Sequence, residues 1–222
     1  MKKLRPLIKK YGHMFLPVIY GIFYMPLFVY MERRPVTRIH IIESDLDAYI
    51  PFCEYFIVPY LLWFVYIGAS VIAFMFLERK DYYRLCTVLG VGMTAFLLIC
   101  YIYPNGLHLR PATFARDNIF VDLVRILHRS DTATNVLPGI HCYNSLAVHA
   151  AIRKNKTLNK KRWIKPVSAF ICFSVVLSTL FLKQHSVIDV IAAFILFAAT
   201  YTAVYLVPDM QAKKVVHSKL SH

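Results

Sequence analysis

Acid is scarce in this chain. Asp and Glu total 12 of 222 residues, against 26 Lys and Arg, and the formal charge is +14. Cysteine is present but unpaired. Cys53, Cys86, Cys100, Cys142 and Cys172 form no Cys-x-x-Cys, which sets aside the usual redox and zinc motifs and leaves them as small buried apolar residues. There is no internal repeat and no low-complexity tract. There is no period-2 alternation either, so a membrane barrel is excluded. No small-residue cleavage site follows the first apolar run. The basic stretch Met1-Lys2-Lys3-Leu4-Arg5-Pro6 is therefore expected to lead into an uncleaved first span.

Apolar side chains are plentiful. They make up 58% of the chain and give a mean hydropathy of +0.52. A soluble domain holds about 45–50%. Sixteen Phe and fifteen Tyr suit aromatic belts at membrane interfaces. Apolar segments run roughly over 13–31, 51–77, 85–103, 136–152, 164–182 and 186–207. Backbone groups in a bilayer must be satisfied within the segment, so these read as helices. The expected fold is all-α: one integral membrane bundle of six transmembrane helices, occupying 1–222 as a single domain. The fourth segment carries His141, Asn144, Ser145 and His149, which are costly against lipid, so it is expected inside the bundle.

The cations are not spread evenly. Connections count five Lys and Arg to Lys10, then three around Arg33, three in Glu78–Arg84, four in 104–135, seven in Arg153–Lys165, one at Lys183 and three after Pro208. Alternate sides thus hold 18 and 8. The positive-inside rule then puts both termini in the cytoplasm and the 104–135 loop outside, in a multi-pass protein expected at the plasma membrane. The basic runs are read as topology signals that also meet anionic lipid, not as a nucleic-acid surface. Within the outer loop, Phe120, Leu123, Val124 and Leu127 recur at i, i+3, i+4, i+7, the pattern of an amphipathic helix.

Polar residues collect on that outer side. His185 and Asp189 are spaced i, i+4, so a helix would put them on one face. A carboxylate on one imidazole nitrogen leaves the other free as a nucleophile. The same pair could equally close a helix–helix contact. His141 follows Asn135-Val136-Leu137-Pro138-Gly139-Ile140. Asn135 suits a cap and Pro138 a first helical turn, which would leave the amides near Gly139 as an anion site. His141 there is a candidate general acid, or simply a hydrogen-bonded residue at a helix start. Arg110 and Lys183 supply a bidentate fork and a point charge for phosphate, or contacts to lipid headgroups. His149 reads as a satisfied core histidine, and His108 and His128 as solvated.

Together these residues resemble the type-2 phosphatidic acid phosphatase superfamily, the integral membrane lipid phosphate phosphatases. The family pattern is Lys, six residues, Arg-Pro; then Pro-Ser-Gly-His; then Ser-Arg, five residues, His, three residues, Asp. Arg110-Pro111 matches the first block, Pro138 and His141 the second, and Ser178, His185 and Asp189 the third, over roughly 103–195. Tyr103 stands at the Lys position, Gly139 and Ile140 at Ser and Gly, and Thr179 at the third-block Arg. The looser form, Pro-x-x-His with His-x-x-x-Asp, is also similar to the branch of inositol phosphorylceramide and sphingomyelin synthases.

The resemblance implies a metal-free, cofactor-free phosphatase acting on a phospholipid or polyprenyl phosphate at the outer face. In it His185 is the nucleophile, Asp189 its orienting partner and His141 the acid. Arg110, Lys183 and the amide at Gly139 hold the phosphate oxygens. A headgroup phosphotransferase is the alternative, as is an inactive lipid-binding or transport protein of the same fold.

Overall fold

The computed structural model describes residues 11–212. The topology signals read in the N-terminal tail and in the last ten residues lie outside them. Within that range the regular elements are helices apart from one two-residue strand pair. The long helices are α1 (Leu16–Arg33), α2 (Ile57–Met75), α3 (Arg79–Ile102), α5 (Ile140–Lys154), α6 (Ile164–Phe181) and α7 (Val187–Tyr201), with a shorter α4 (Ile119–Ser130) between α3 and α5. Five helical stretches are long and apolar enough to cross a membrane: Gly12–Arg33, Glu54–Met75, Arg79–Ile102, Ile164–Phe181 and Val187–Ala212. The protein is an all-α bundle compatible with an integral membrane location. The fourth apolar segment is shorter than the rest, because α5 begins at Ile140 and has 15 residues.

Helix α5 is the centre of the bundle and packs against α2, α3, α6 and α7. Its composition explains why. Ala147, Ala150 and Ala151 are buried and let neighbouring backbones approach, as small residues do between membrane helices. Its polar residues are turned inward, with Asn144 and Ser145 buried and the Ser145 hydroxyl donating to the His141 carbonyl at 2.7 Å. His149 behaves as a core histidine: its Nδ1 lies 2.9 Å from Ser168 Oγ, which lies 2.7 Å from Tyr66 Oη. Tyr143 reaches across the core and donates to the Val88 carbonyl at 2.7 Å, with its oxygen 2.9 Å from Thr200 Oγ1. Gly92 makes room for its ring.

The ends of the bundle differ. At one end the cation-rich connections meet: Arg84 and Lys154 pair with Asp209 at 2.6 and 3.3 Å, and Asn155 donates to Asp81 at 2.7 Å. At the other end the loops are sewn together. Strand β1 (His40–Ile41) pairs in parallel with β2 (Asn105–Gly106), and Gly106 bridges Thr134. Asn105 is buried and its Oδ1 accepts from the Val136 and Leu137 amides, each at 2.8 Å. That fixes the approach to α5.

Helix α4 lies over this loop-rich end. Asn118 caps it, accepting from the Phe120 and Val121 amides at 3.0 Å. Its apolar face of Phe120, Leu123, Val124 and Leu127 packs on Ile57, Tyr60 and Leu182, as the i, i+3, i+4, i+7 spacing predicts. Glu54 pins its start through Arg116 and Asn118, both at 3.2 Å.

A Cβ added at Gly92 would stand 1.9 Å from Tyr143 Cε1, and that ring is fully buried with its hydroxyl bonded at its far end. Gly92→Ala is expected to destabilise the bundle by about 3 kcal/mol or more, read as a lowered denaturation midpoint in detergent. A midpoint equal to wild type would contradict this packing.

Candidate active site

The site is built on the turn between α6 and α7. Helix α6 ends in a Schellman motif: Gln184 N donates to the Thr179 carbonyl at 3.0 Å and Lys183 N to the Leu180 carbonyl at 3.1 Å. Lys183 occupies the left-handed position, with φ 57°, where a side chain other than glycine's costs about 1 kcal/mol. The chain then turns at once into α7. Ser186 is the N-cap and Asp189 the N3 residue of a capping box: Asp189 Oδ2 accepts from Ser186 N at 2.9 Å, and Ser186 Oγ accepts from Ile188 N at 3.2 Å.

The same Asp189 Oδ2 lies 3.3 Å from His185 Nδ1. A carboxylate only accepts, so this contact assigns the proton to Nδ1 and leaves Nε2 with its lone pair. The pairing is thus as the sequence predicts, but its geometry is not a shared helix face. His185 precedes the N-cap, so the backbone turn and not the 3.6-residue repeat brings the two together. His185 is 6% exposed and Asp189 is fully buried, with Asp189 Oδ1 lacking any partner.

His141 sits in the first turn of α5. The helix starts later than the sequence suggests, because Gly139 is its N-cap and Pro138 lies before it, after a cis Leu137–Pro138 bond. Asn135 does not cap. Its amide donates instead to Glu32 at 2.8 Å, and its backbone is left-handed. The Gly139 amide donates to the Asp189 carbonyl at 3.1 Å, so it is already engaged. A Cβ at Gly139 would meet that carbonyl at 3.3 Å, which is why the smallest residue stands there. This contact docks the start of α5 on the start of α7. The His141 ring lies 5.9 Å from the His185 ring, centroid to centroid, and against Tyr60 at 4.7 Å and Trp63 at 4.4 Å. His141 Nδ1 and Trp63 Nε1 are buried without partners.

The two cations are present but committed. Arg110 donates to the carbonyls of His128, Asp131 and Thr132 at 3.3, 2.7 and 2.9 Å, which closes the C-terminal end of α4. It also donates to Gln184 Oε1 at 2.8 Å and faces the Asp131 carboxylate at 3.8 Å. Lys183 Nζ donates to the Asp47 carbonyl at 2.7 Å. Arg110 Nε and Gln184 Nε2 remain buried without partners. Thr179, which stands where the lipid phosphate phosphatase pattern has its third-block arginine, is buried and donates to the Val176 carbonyl. Among the described residues, no three of His, Cys, Asp and Glu are grouped as metal ligands would be.

Sequence reasoning missed several parts. Gln184 gave no signal beyond its place before His185. Asp47 carries no sequence signal that separates it from the other acids of the first loop. Yet it is buried and binds Ser186 Oγ at 2.6 Å and Val187 N at 2.8 Å. His128 is not solvated, since its Nε2 is buried under α4. Its apolar neighbours could have indicated this, because it follows Leu127 on the inward-facing stripe. His108 is exposed, as expected.

No protein-family model matches this chain, and no curated protein does.

Burial, aided by the Arg110 guanidinium beside it, pushes the His128 imidazole down from 6.5 to about 4. A histidine depressed in the folded state favours unfolding once it must protonate. Its contribution is complete above about pH 6.5 and is lost as pH falls toward 4. The denaturation midpoint of wild type is expected to fall across that window more steeply than that of His128→Gln. Parallel profiles would show that His128 is not held neutral.

Proposed function

We propose that the protein is a membrane lipid phosphatase, hydrolysing a lipid phosphate or pyrophosphate through a phosphohistidine on His185. The observation that carries this reading is the His185–Asp189 dyad facing His141, with ring centroids 5.9 Å apart. A nucleophile needs about 3 Å to the reacting phosphorus, and an acid needs about 3 Å to the leaving oxygen. Two imidazoles at this separation are close enough to act on one phosphoryl group. Two further features support it: buried donors left over at Arg110 Nε and Gln184 Nε2, and the match of His141, His185 and Asp189 to the lipid phosphate phosphatase pattern.

The chemistry balances with the chain's own groups. His185 Nε2 attacks phosphorus, and the bond from phosphorus to the lipid oxygen breaks. His141 donates its proton to the departing alkoxide. Asp189 stabilises the cationic ring, as a buried carboxylate does for an imidazolium. Water then attacks the phosphohistidine, His141 takes a proton from it, and inorganic phosphate leaves. In this scheme Arg110 Nε, Gln184 Nε2 and the first-turn amides of α5 meet the equatorial oxygens, where charge develops. The imidazole is the nucleophile, so the scheme needs no metal. In this reading α5 is the fourth of six spans, both termini are cytoplasmic, and the site opens to the outer leaflet of the plasma membrane.

One observation favours a second reading, transfer of a phosphorylated headgroup to an alcohol acceptor. Arg110 faces the Asp131 carboxylate at 3.8 Å, Lys183 is held by the Asp47 backbone carbonyl, and Asp189 adds a further carboxylate. Cations so matched suit a singly charged phosphodiester better than a doubly charged monoester. Acceptor-dependent product with little free phosphate would mark this route.

The test is phosphate release from a panel of lipid phosphates by detergent-solubilised protein in EDTA. His185→Ala is expected to lose at least about a thousandfold in rate. His141→Ala is expected to lose on the order of a hundredfold or more. Release that is undiminished in His185→Ala would overturn the reading.

A further inference from the structure

We propose that Asp47 is the positioning residue of the His185–Asp189 dyad, holding the start of α7 from outside the helix so that the His185 ring keeps its line of attack. The inference rests on the phosphoryl-transfer reading above. It begins from a repeated motif. Ser44-Asp45-Leu46-Asp47 and Ser186-Val187-Ile188-Asp189 are both Ser-x-x-Asp, and both fold as capping boxes. The first box opens a short 3-10 turn over Asp45–Tyr49, and the second opens α7.

The two boxes interlock. Asp47 Oδ2 accepts from Ser44 N at 2.8 Å within its own box. The same oxygen accepts from Ser186 Oγ at 2.6 Å, and Oδ1 accepts from Val187 N at 2.8 Å. The Asp47 backbone carbonyl takes Lys183 Nζ at 2.7 Å. A fourth contact follows where Cys53 N donates to the Phe181 carbonyl at 3.0 Å. The first loop therefore grips the α6–α7 turn on both sides of His185, from a residue 139 positions away from Ser186.

A cap alone does not account for this. Ser186 already caps α7, and Asp189 already satisfies Ser186 N. A carboxylate that is 2% exposed is costly unless fully hydrogen-bonded, and Asp47 is buried to serve a turn that has its own cap. What Asp47 adds is rotation control over Ser186. The Ser186 hydroxyl is fixed by Asp47 and its amide by Asp189, whose other contact is His185 Nδ1. If Ser186 turns, Asp189 and the imidazole move with it. Displacements near 1 Å at a reacting centre cost about a hundredfold in rate.

Asp47→Asn keeps the size of the side chain but puts an NH2 group against N–H or O–H donors. It is expected to lower kcat about tenfold to a hundredfold, with KM unchanged within about twofold, since the donors that meet substrate stay in place. Modification of His185 by diethyl pyrocarbonate, followed by mass spectrometry, is expected to become several-fold faster. Ser186→Ala removes the same link and should act in the same direction, and the double variant should be little worse than either single one.

A folded Asp47→Asn protein with wild-type kcat and wild-type His185 modification would overturn the proposal. Should Asp47→Asn fail to fold, Ser186→Ala decides in its place. Faster His185 modification in a protein that transfers no phosphoryl group from any lipid would sink the catalytic reading and leave the positioning role standing. Wild-type activity with no change in either variant would sink the positioning role alone.

Discussion

The loop-rich end of this protein depends on how one buried turn satisfies its polar groups. Between Phe181 and Asp189 the chain leaves one helix and enters another, and nearly every backbone group in that stretch needs a partner away from water. Three segments supply them. The turn closes on itself through Thr179 and Ser186. The first loop contributes Asp47, and the start of α5 contributes the Gly139 amide. Remove any one and a buried donor or acceptor is orphaned, at about 1–3 kcal/mol for each group. The same demand is what fixes His185: the groups that satisfy the turn are those that orient the imidazole.

Helix α5 shows the same economy in the bundle interior. Its polar residues would be expensive against lipid, and its neighbours α2, α3, α6 and α7 shield it on all sides. That central position lets its first turn bring His141 to His185, while α4 covers the site from the loop side. Arg110 links these parts. It closes the C-terminal carbonyls of α4 and orients the Gln184 amide beside His185. The covering helix and the site therefore share one guanidinium.

Much of this was legible in the sequence, for physical reasons. Long apolar runs can only be helices in a bilayer, and the stripe at Phe120, Leu123, Val124 and Leu127 marks α4 without ambiguity. The histidines could be brought together because alternate connections must lie at the same end. Other features were read with the wrong geometry. His-x-x-x-Asp spacing suggests a helical pair, but Ser186 within it is an N-cap and Ser-x-x-Asp is a capping signature. The start of α5 was placed too early, since Pro138 fits a first turn by propensity but here precedes the cap. Asp47 escaped because its partners lie about 140 residues away, and nothing local distinguishes a buried acid from a solvated one. Lys183 and Arg110 were recognised as cations, but their tertiary partners could not be read from sequence.

The central claim is that His185 carries the phosphoryl group. It is tested most directly by quenching the solubilised protein in base during incubation with a lipid phosphate and mapping phosphorylated peptides by mass spectrometry. The account predicts an acid-labile phosphoryl group on His185, absent from His185→Ala and accumulating in His141→Ala if water attack is slowed there. Turnover with no phosphoryl group on His185, or with one on another residue, would contradict it.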